Sequence, residues 1–452
     1  MPNINLKNKL NQLAILTIQH LKEYLTSGKM RIVERPYLKR VVVGFRYNKG
    51  GTGITTTYRI ELHQELDEES IETLIHSISR KQEFKTALNL LIEQKNVDEI
   101  IAKGWLERFL WTIIIRYYQR RLKEADINEL IDIFLDEIER GVTKCRILAW
   151  LHNIHLEDAK VELDEGVILR IPMKDDFETE IPLYPPLYEY PQPDITPSAV
   201  LEIEKRIAPK LRGPAIALGI DPTIVGRYVT ALQLYKRCSA YSYYIRIEPR
   251  GVIYVGGHYK PLQLLQASTF KCTLTPDETS KVRAFINKIL PKLPLDEMGN
   301  PLLNHFLGIA LARYQDALLK TEPLSNKLAY AVFGLEALYL GKDEFGELKH
   351  RLAQRVAKVV HLLGKTQDPI SVYEDVKKAY NIRSRFVHGG FEELKDRELL
   401  DKIAEYLRLS ILVFMFAENK KHLLDLIDRS MLTEKANEEL KNFLAKSIGE
   451  LL

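Results

Sequence analysis

Apolar residues recur at three- and four-residue spacing over most of the chain, and in a few windows they alternate or run together. The helical spacing predicts helices over 6–25, 69–80, 97–123 and 128–140. Two strands are predicted over 40–47 and 54–62, closed by Asn48-Lys49-Gly50-Gly51-Thr52-Gly53. Such a glycine cluster cradles phosphate when GxxxxGK[S/T] feeds a helix. Here a Thr-rich strand follows, and hairpin turn chemistry fits better.

The pattern then changes to short β-like runs at 145–151, 161–163 and 167–171. A proline-dense connector from Ile181 to Pro197 reads as extended chain, a linker or an edge that wraps another surface. A helix over 223–238 precedes a hairpin with strands 241–248 and 252–255, turning at Pro249-Arg250-Gly251. After Thr275-Pro276-Asp277, a helix-start signal, helical periodicity continues over 278–290, 302–319, 326–340, 345–363, 371–388, 397–417 and 434–448. The expected fold class is therefore α+β. It comprises a mixed helix/strand N-terminal domain over 1–143, a β-containing middle region over 144–275 and an all-α helical bundle over 276–452.

Composition narrows the function classes. The chain has 452 residues, 46% of them hydrophobic, with 65 Lys+Arg against 61 Asp+Glu for a net charge of +4. Disorder and fibre are excluded, and at roughly 100–200 residues per domain two or three domains follow. With so little net charge, a nucleic-acid partner has to be held by a local patch. Cys145, Cys238 and Cys272 are odd in number and form no CxxC pair, which points to a reducing compartment. The first residues lack a signal-peptide apolar stretch, and the apolar run 411–417 falls short of the roughly 18–20 residues that cross a bilayer. A cytoplasmic protein with no membrane partner is expected.

Three clusters could carry chemistry. His152 and His155 form an HxxH pair, read as metal ligands or as ordinary surface or core histidines; no third ligand stands nearby, and no metal or cofactor is assigned. At the end of the long helix, Arg116-Tyr117-Tyr118-Gln119-Arg120-Arg121 interleaves basic and aromatic residues. That stretch either grips phosphates while stacking bases, which makes Arg116 and Arg120 candidate substrate contacts, or forms a solvated helix end.

The third cluster is the most specific. The window Leu328 to Leu340 is apolar all round except for Glu336, a carboxylate that needs a cation or a proton. Downstream, Val376, Ala379, Tyr380, Ile382, Phe386 and Val387 gather into one apolar arc with Arg383 in its middle, so Glu336 is its candidate partner. Arg385 points to the other side and is a further candidate substrate contact. His388 lies in the last turn before Gly389-Gly390, where the negative end of the helix dipole favours the imidazolium. An Arg with a titratable His suits RNA cleavage, the His moving a proton and the Arg stabilising the phosphorane. Five residues of helix separate the two side chains by about 140° and about 7.5 Å of rise. Two copies meeting across a two-fold axis would pool them in one cleft. The structural alternative is a plain Arg–Glu pair and a capping His.

Tyr380-Asn381-Ile382-Arg383-Ser384-Arg385-Phe386-Val387-His388-Gly389 resembles the Arg-polar-x3-His signature of the HEPN superfamily, and most closely its Apea-like branch. Phe333-Gly334-Leu335-Glu336-Ala337-Leu338 is similar to that branch's Glu-bearing helix, and the agreement covers roughly 300–420. The resemblance implies a HEPN-like bundle, commonly dimeric, that in many members is a metal-independent endoribonuclease of defence, toxin or stress systems. It carries Arg383 and His388 onto the catalytic pair and Ser384 onto the polar position. RNA substrate, a homodimer partner and a regulatory ligand or partner protein are the expectations. A non-catalytic RNA-, nucleotide- or protein-binding module, or a ligand-gated effector, is the alternative.

Overall fold

The computed structural model describes residues 4–48, 53–119, 122–177, 180–182, 197–207, 223–253, 257–259, 270–297, 299–341, 346–364, 368–388 and 397–449. Most of the proline connector, Arg120 and Gly389-Gly390 lie outside these residues. The described chain is mixed α+β, with a helical C-terminal region. None of its helices is long and apolar enough to cross a membrane.

The N-terminal part comprises α1 (Ile4–Thr26), the hairpin β1 (Ile32–Asn48) and β2 (Gly53–Leu66), then α2 (Glu68–Ser79), α3 (Gln82–Lys95), α4 (Glu99–Tyr118) and α5 (Ile127–Arg140). The hairpin strands pair from Asn48↔Gly53 to Ile32↔Leu66, well beyond the predicted limits, with register shifts between Val42 and Gly44 and between Arg35 and Leu38. Helix α3 was not expected, although Phe84, Ala87, Leu88 and Leu91 form a buried stripe at helical spacing. Helix α4 stops at Tyr118 and not at Lys123, with Gln119 as its cap.

The middle part holds β3 (Thr143–His152), β4 (Ile154–Leu156), β5 (Lys160–Asp164), β6 (Val167–Arg170), the short α6 (Lys174–Phe177), β7 (Glu180–Pro182), β8 (Ala199–Ile207), α7 (Thr223–Tyr235), β9 (Tyr241–Pro249), β10 (Gly257–Tyr259) and β11 (Cys272–Leu274). Six strands form an antiparallel sheet in the order β10-β9-β3-β8-β6-β5. Strand β8, absent from the sequence reading, lies inside that sheet between β3 and β6. The return strand of the second hairpin is 257–259, not 252–255, because Val252 and Ile253 are buried elsewhere, in the N-terminal core. Strand β7 pairs with β1, and His152 and His155 sit on β3 and β4 rather than on one helix.

A Thr275/Glu278 capping box opens the C-terminal helices. They are α8 (Thr279–Ile289), α9 (Phe306–Leu319), α10 (Leu324–Tyr339), α11 (Leu348–Leu362), α12 (Pro369–Val387), α13 (Glu398–Met415), α14 (Lys420–Ser430) and α15 (Glu434–Leu444), of which α14 was not predicted. Helix α10 is central, packing on α9, α11, α12 and α13. Gly334 allows the close approach of α13, since a Cβ there would lie 2.6 Å from Leu407 Cδ2.

Buried apolar residues fall into two clusters. One joins α1 to α5 with Val252 and Ile253, and the other joins the six-stranded sheet to the C-terminal helices. Arg408 of α13, 6% exposed, helps fix that second union by donating to the Leu234 and Tyr235 carbonyls at the end of α7, at 2.6 and 3.0 Å.

Candidate functional site

Helix α12 starts with Pro369 at its first position, where a missing N–H costs nothing, and buries Val372, Val376, Ala379 and Ile382. Arg383 follows Ile382 on the same side, three residues after Tyr380. On α10, Glu336 follows Phe333 by the same interval. The two i,i+3 pairs face each other, and Arg383 Nη2 donates to Glu336 Oε2 at 2.7 Å. The guanidinium carbon lies 4.6 Å from the centre of the Phe333 ring and 5.5 Å from that of Tyr380.

The pair sits at the edge of the core rather than deep in it, with side-chain exposures of 22% for Arg383 and 14% for Glu336. Burial raises the Glu336 carboxyl above its ordinary value, while the charge and hydrogen bond of Arg383 pull the other way. The Tyr380 phenol is raised by burial and then by the nearby Glu336 charge. Arg383 Nε is buried and meets no acceptor among the described residues.

His388 caps α12, its backbone N–H shared between the Ser384 and Arg385 carbonyls at 3.2 and 3.1 Å. Its side chain is exposed, as are Arg385 and Val387, while Ser384 and Phe386 are half-buried. The last turn therefore leaves the core, which the apolar arc did not indicate. The C-terminal end of α12 presents a cation paired with Glu336 and, about one turn and a half further on, an exposed imidazole.

Arg116 goes elsewhere. Its Nη2 donates to the Gly251 carbonyl at 3.0 Å, in a cleft lined from α4, α5, β3, β8 and residues 249–252. His152 stacks on Tyr241 with ring centres 5.1 Å apart, and burial holds its imidazole down at about 4. His155 is lowered by burial and by Lys271. No group of three His, Cys, Asp or Glu side chains among the described residues is placed to hold a metal ion.

One feature of the site escaped the sequence: Phe333 walls the guanidinium, and the signal was its i,i+3 spacing to Glu336. Elsewhere on α10, Lys327, one residue upstream of the apolar window, is 3% exposed, and burial holds its ammonium down at about 8 with Arg397 adding to the effect. No family model, curated protein or solved structure matches the chain.

Proposed function

We propose that the chain is a HEPN-type endoribonuclease whose site pools Arg383 and His388 from two copies. The supporting observation is that Arg383, held by Glu336 between two aromatic rings, lies on the same helix as an exposed His388 at its cap. His388 accepts the proton of the 2′-hydroxyl and returns one to the leaving 5′-oxygen. Arg383 carries the charge that builds on the phosphorane. Attack by the neighbouring 2′-oxygen leaves a 2′,3′-cyclic phosphate and a 5′-hydroxyl, with no other nucleophile required.

The test is incubation of the pure chain with tRNA and with single-stranded RNA in EDTA. Cyclic-phosphate ends are expected from the parent and none from Arg383→Ala or His388→Ala; cleavage retained by either variant overturns the assignment. A second, non-catalytic reading is favoured by one observation: the Arg383 charge is already matched by Glu336. On that reading RNA or a partner binds the same helix end without turnover under any condition.

A further inference from the structure

A cleft of about 760 Å³ lies where α4 meets the sheet, lined by none of the described residues of α10 or α12. Arg108, Trp111, Thr112, Ile115 and Arg116 follow one another at helical spacing and turn one face of α4 into it. That face is fixed in place, since Thr112 Oγ1 donates to the Val252 carbonyl and Arg116 Nη2 to the Gly251 carbonyl, each at 3.0 Å. On the opposite wall Lys144 and Arg250 share one carboxylate, Glu204, at 3.3 and 3.9 Å.

Charge identifies the occupant. Four cations, Arg108, Arg116, Lys144 and Arg250, line the cleft against two carboxylates, Glu129 and Glu204. Arg108 is half-buried with no partner among the described residues, an arrangement that an anion would complete. Beside it, Trp111 packs part of its indole on the N-terminal core and lines the cleft with the rest, a rigid aromatic surface next to an unmatched guanidinium. A cation and an aromatic platform at one site match a phosphate and a base.

We propose that this cleft binds a nucleotide unit, its phosphate against Arg108 and Arg250 and its base against Trp111. The unit comes either as a free nucleotide or as one residue of a single RNA strand. The inference stands apart from the nuclease reading, because it needs neither Arg383 nor His388.

Binding is measured on the full-length His388→Ala chain, so that cleavage cannot consume the probe. One arm titrates a fluorescein-labelled 12-nucleotide single-stranded RNA by anisotropy, and the other titrates AMP and ATP by calorimetry. At least one probe is expected to bind, more weakly as salt rises from about 50 to about 200 mM. Arg108→Ala and Trp111→Ala should each lower affinity about tenfold, and Trp111→Phe should keep most of it. Circular-dichroism melts separate lost binding from lost fold, and Arg108→Ala decides the matter if Trp111→Ala unfolds. The RNA arm alone binding assigns the strand, and the nucleotide arm alone binding assigns a free ligand. Neither probe binding, or affinity unchanged in a folded Arg108→Ala chain, overturns the proposal. A silent cleavage assay leaves this titration readable, and the converse holds too.

Discussion

Arg383 donates one hydrogen bond to Glu336 at 2.7 Å, while its buried Nε meets no acceptor among the described residues. The pair is thus complete in charge and incomplete in hydrogen bonds.

The pair makes stability depend on pH in a definite direction. Burial raises the Glu336 carboxyl and Arg383 opposes the rise, so Arg383→Ala removes the opposition and lifts it further. A carboxyl raised in the folded state stabilises the fold below its unfolded pKa, and that contribution is lost as pH rises through the folded value. Arg383→Ala should therefore cost roughly 1–3 kcal/mol at pH 8 and clearly less at pH 5. Thermal melts at the two pH values check this, and an equal deficit at both would refute it.

Pooling across a dimer predicts complementation. Arg383→Ala and His388→Ala chains, each silent alone, are mixed and allowed to re-equilibrate, which puts roughly half of the dimers into mixed form. Such a dimer holds one intact Arg and one intact His, so cleavage should return. A mixture that stays silent while pull-down of differently tagged chains recovers mixed dimers would place both groups within one chain.

The pairing of Arg383 with Glu336 was legible because a single charge in an apolar helix demands a counter-charge, and periodicity alone puts Arg383 on the core side of α12. The exposure of Val387 and His388 was not, because periodicity fixes azimuth but not how far the supporting helices extend. Strand β8 was hidden by Glu202, Glu204, Lys205 and Arg206, charges that read as loop until Arg146 and Arg170 are seen to bond Glu202. Val252 and Ile253 have strand character locally, yet burial against residues more than a hundred positions earlier in the chain decides their place. Arg116, on sequence a candidate phosphate contact or part of a solvated helix end, donates to the Gly251 carbonyl, a partner that no local signal announces.

That buried charge network has its own signature in acid. Glu202 takes hydrogen bonds from Arg146 at 2.7 Å and from Arg170 at 2.7 Å, and Arg170 is also paired with Asp176. Burial pushes the Glu202 carboxyl up, but the two arginines prevail and hold it at about 2. A depressed carboxyl contributes stability above its unfolded pKa that is lost as pH falls through the folded value. Glu202→Gln should cost roughly 2–3 kcal/mol at pH 7, with the deficit shrinking between about pH 4.5 and pH 2. Urea unfolding across that range measures it; a deficit that does not change with pH would mean the network contributes packing only.

The junction between the two cores predicts the effect of a single methyl group. Glu137 of α5 is 3% exposed, and its Oε2 accepts backbone N–H bonds from Val252 at 2.7 Å and Ile253 at 3.1 Å. With Thr112 and Arg116 serving the Val252 and Gly251 carbonyls, helical side chains satisfy much of the backbone of this inserted segment. Gly251 makes the insertion possible, because a Cβ there would lie 1.4 Å from Glu137 Oε1 and 2.5 Å from Thr143 Oγ1. Gly251→Ala must displace the carboxylate and leave two buried N–H groups without their acceptor, a cost of roughly 2–4 kcal/mol. Glu137→Gln keeps a carbonyl oxygen at the same place and should cost about 1 kcal/mol. If the junction couples the cores, Gly251→Ala also splits the calorimetric unfolding into two transitions and exposes residues 249–253 to limited proteolysis, whereas Glu137→Gln melts as one. A Gly251→Ala chain that unfolds like the parent would mean that the two cores hold together without this segment.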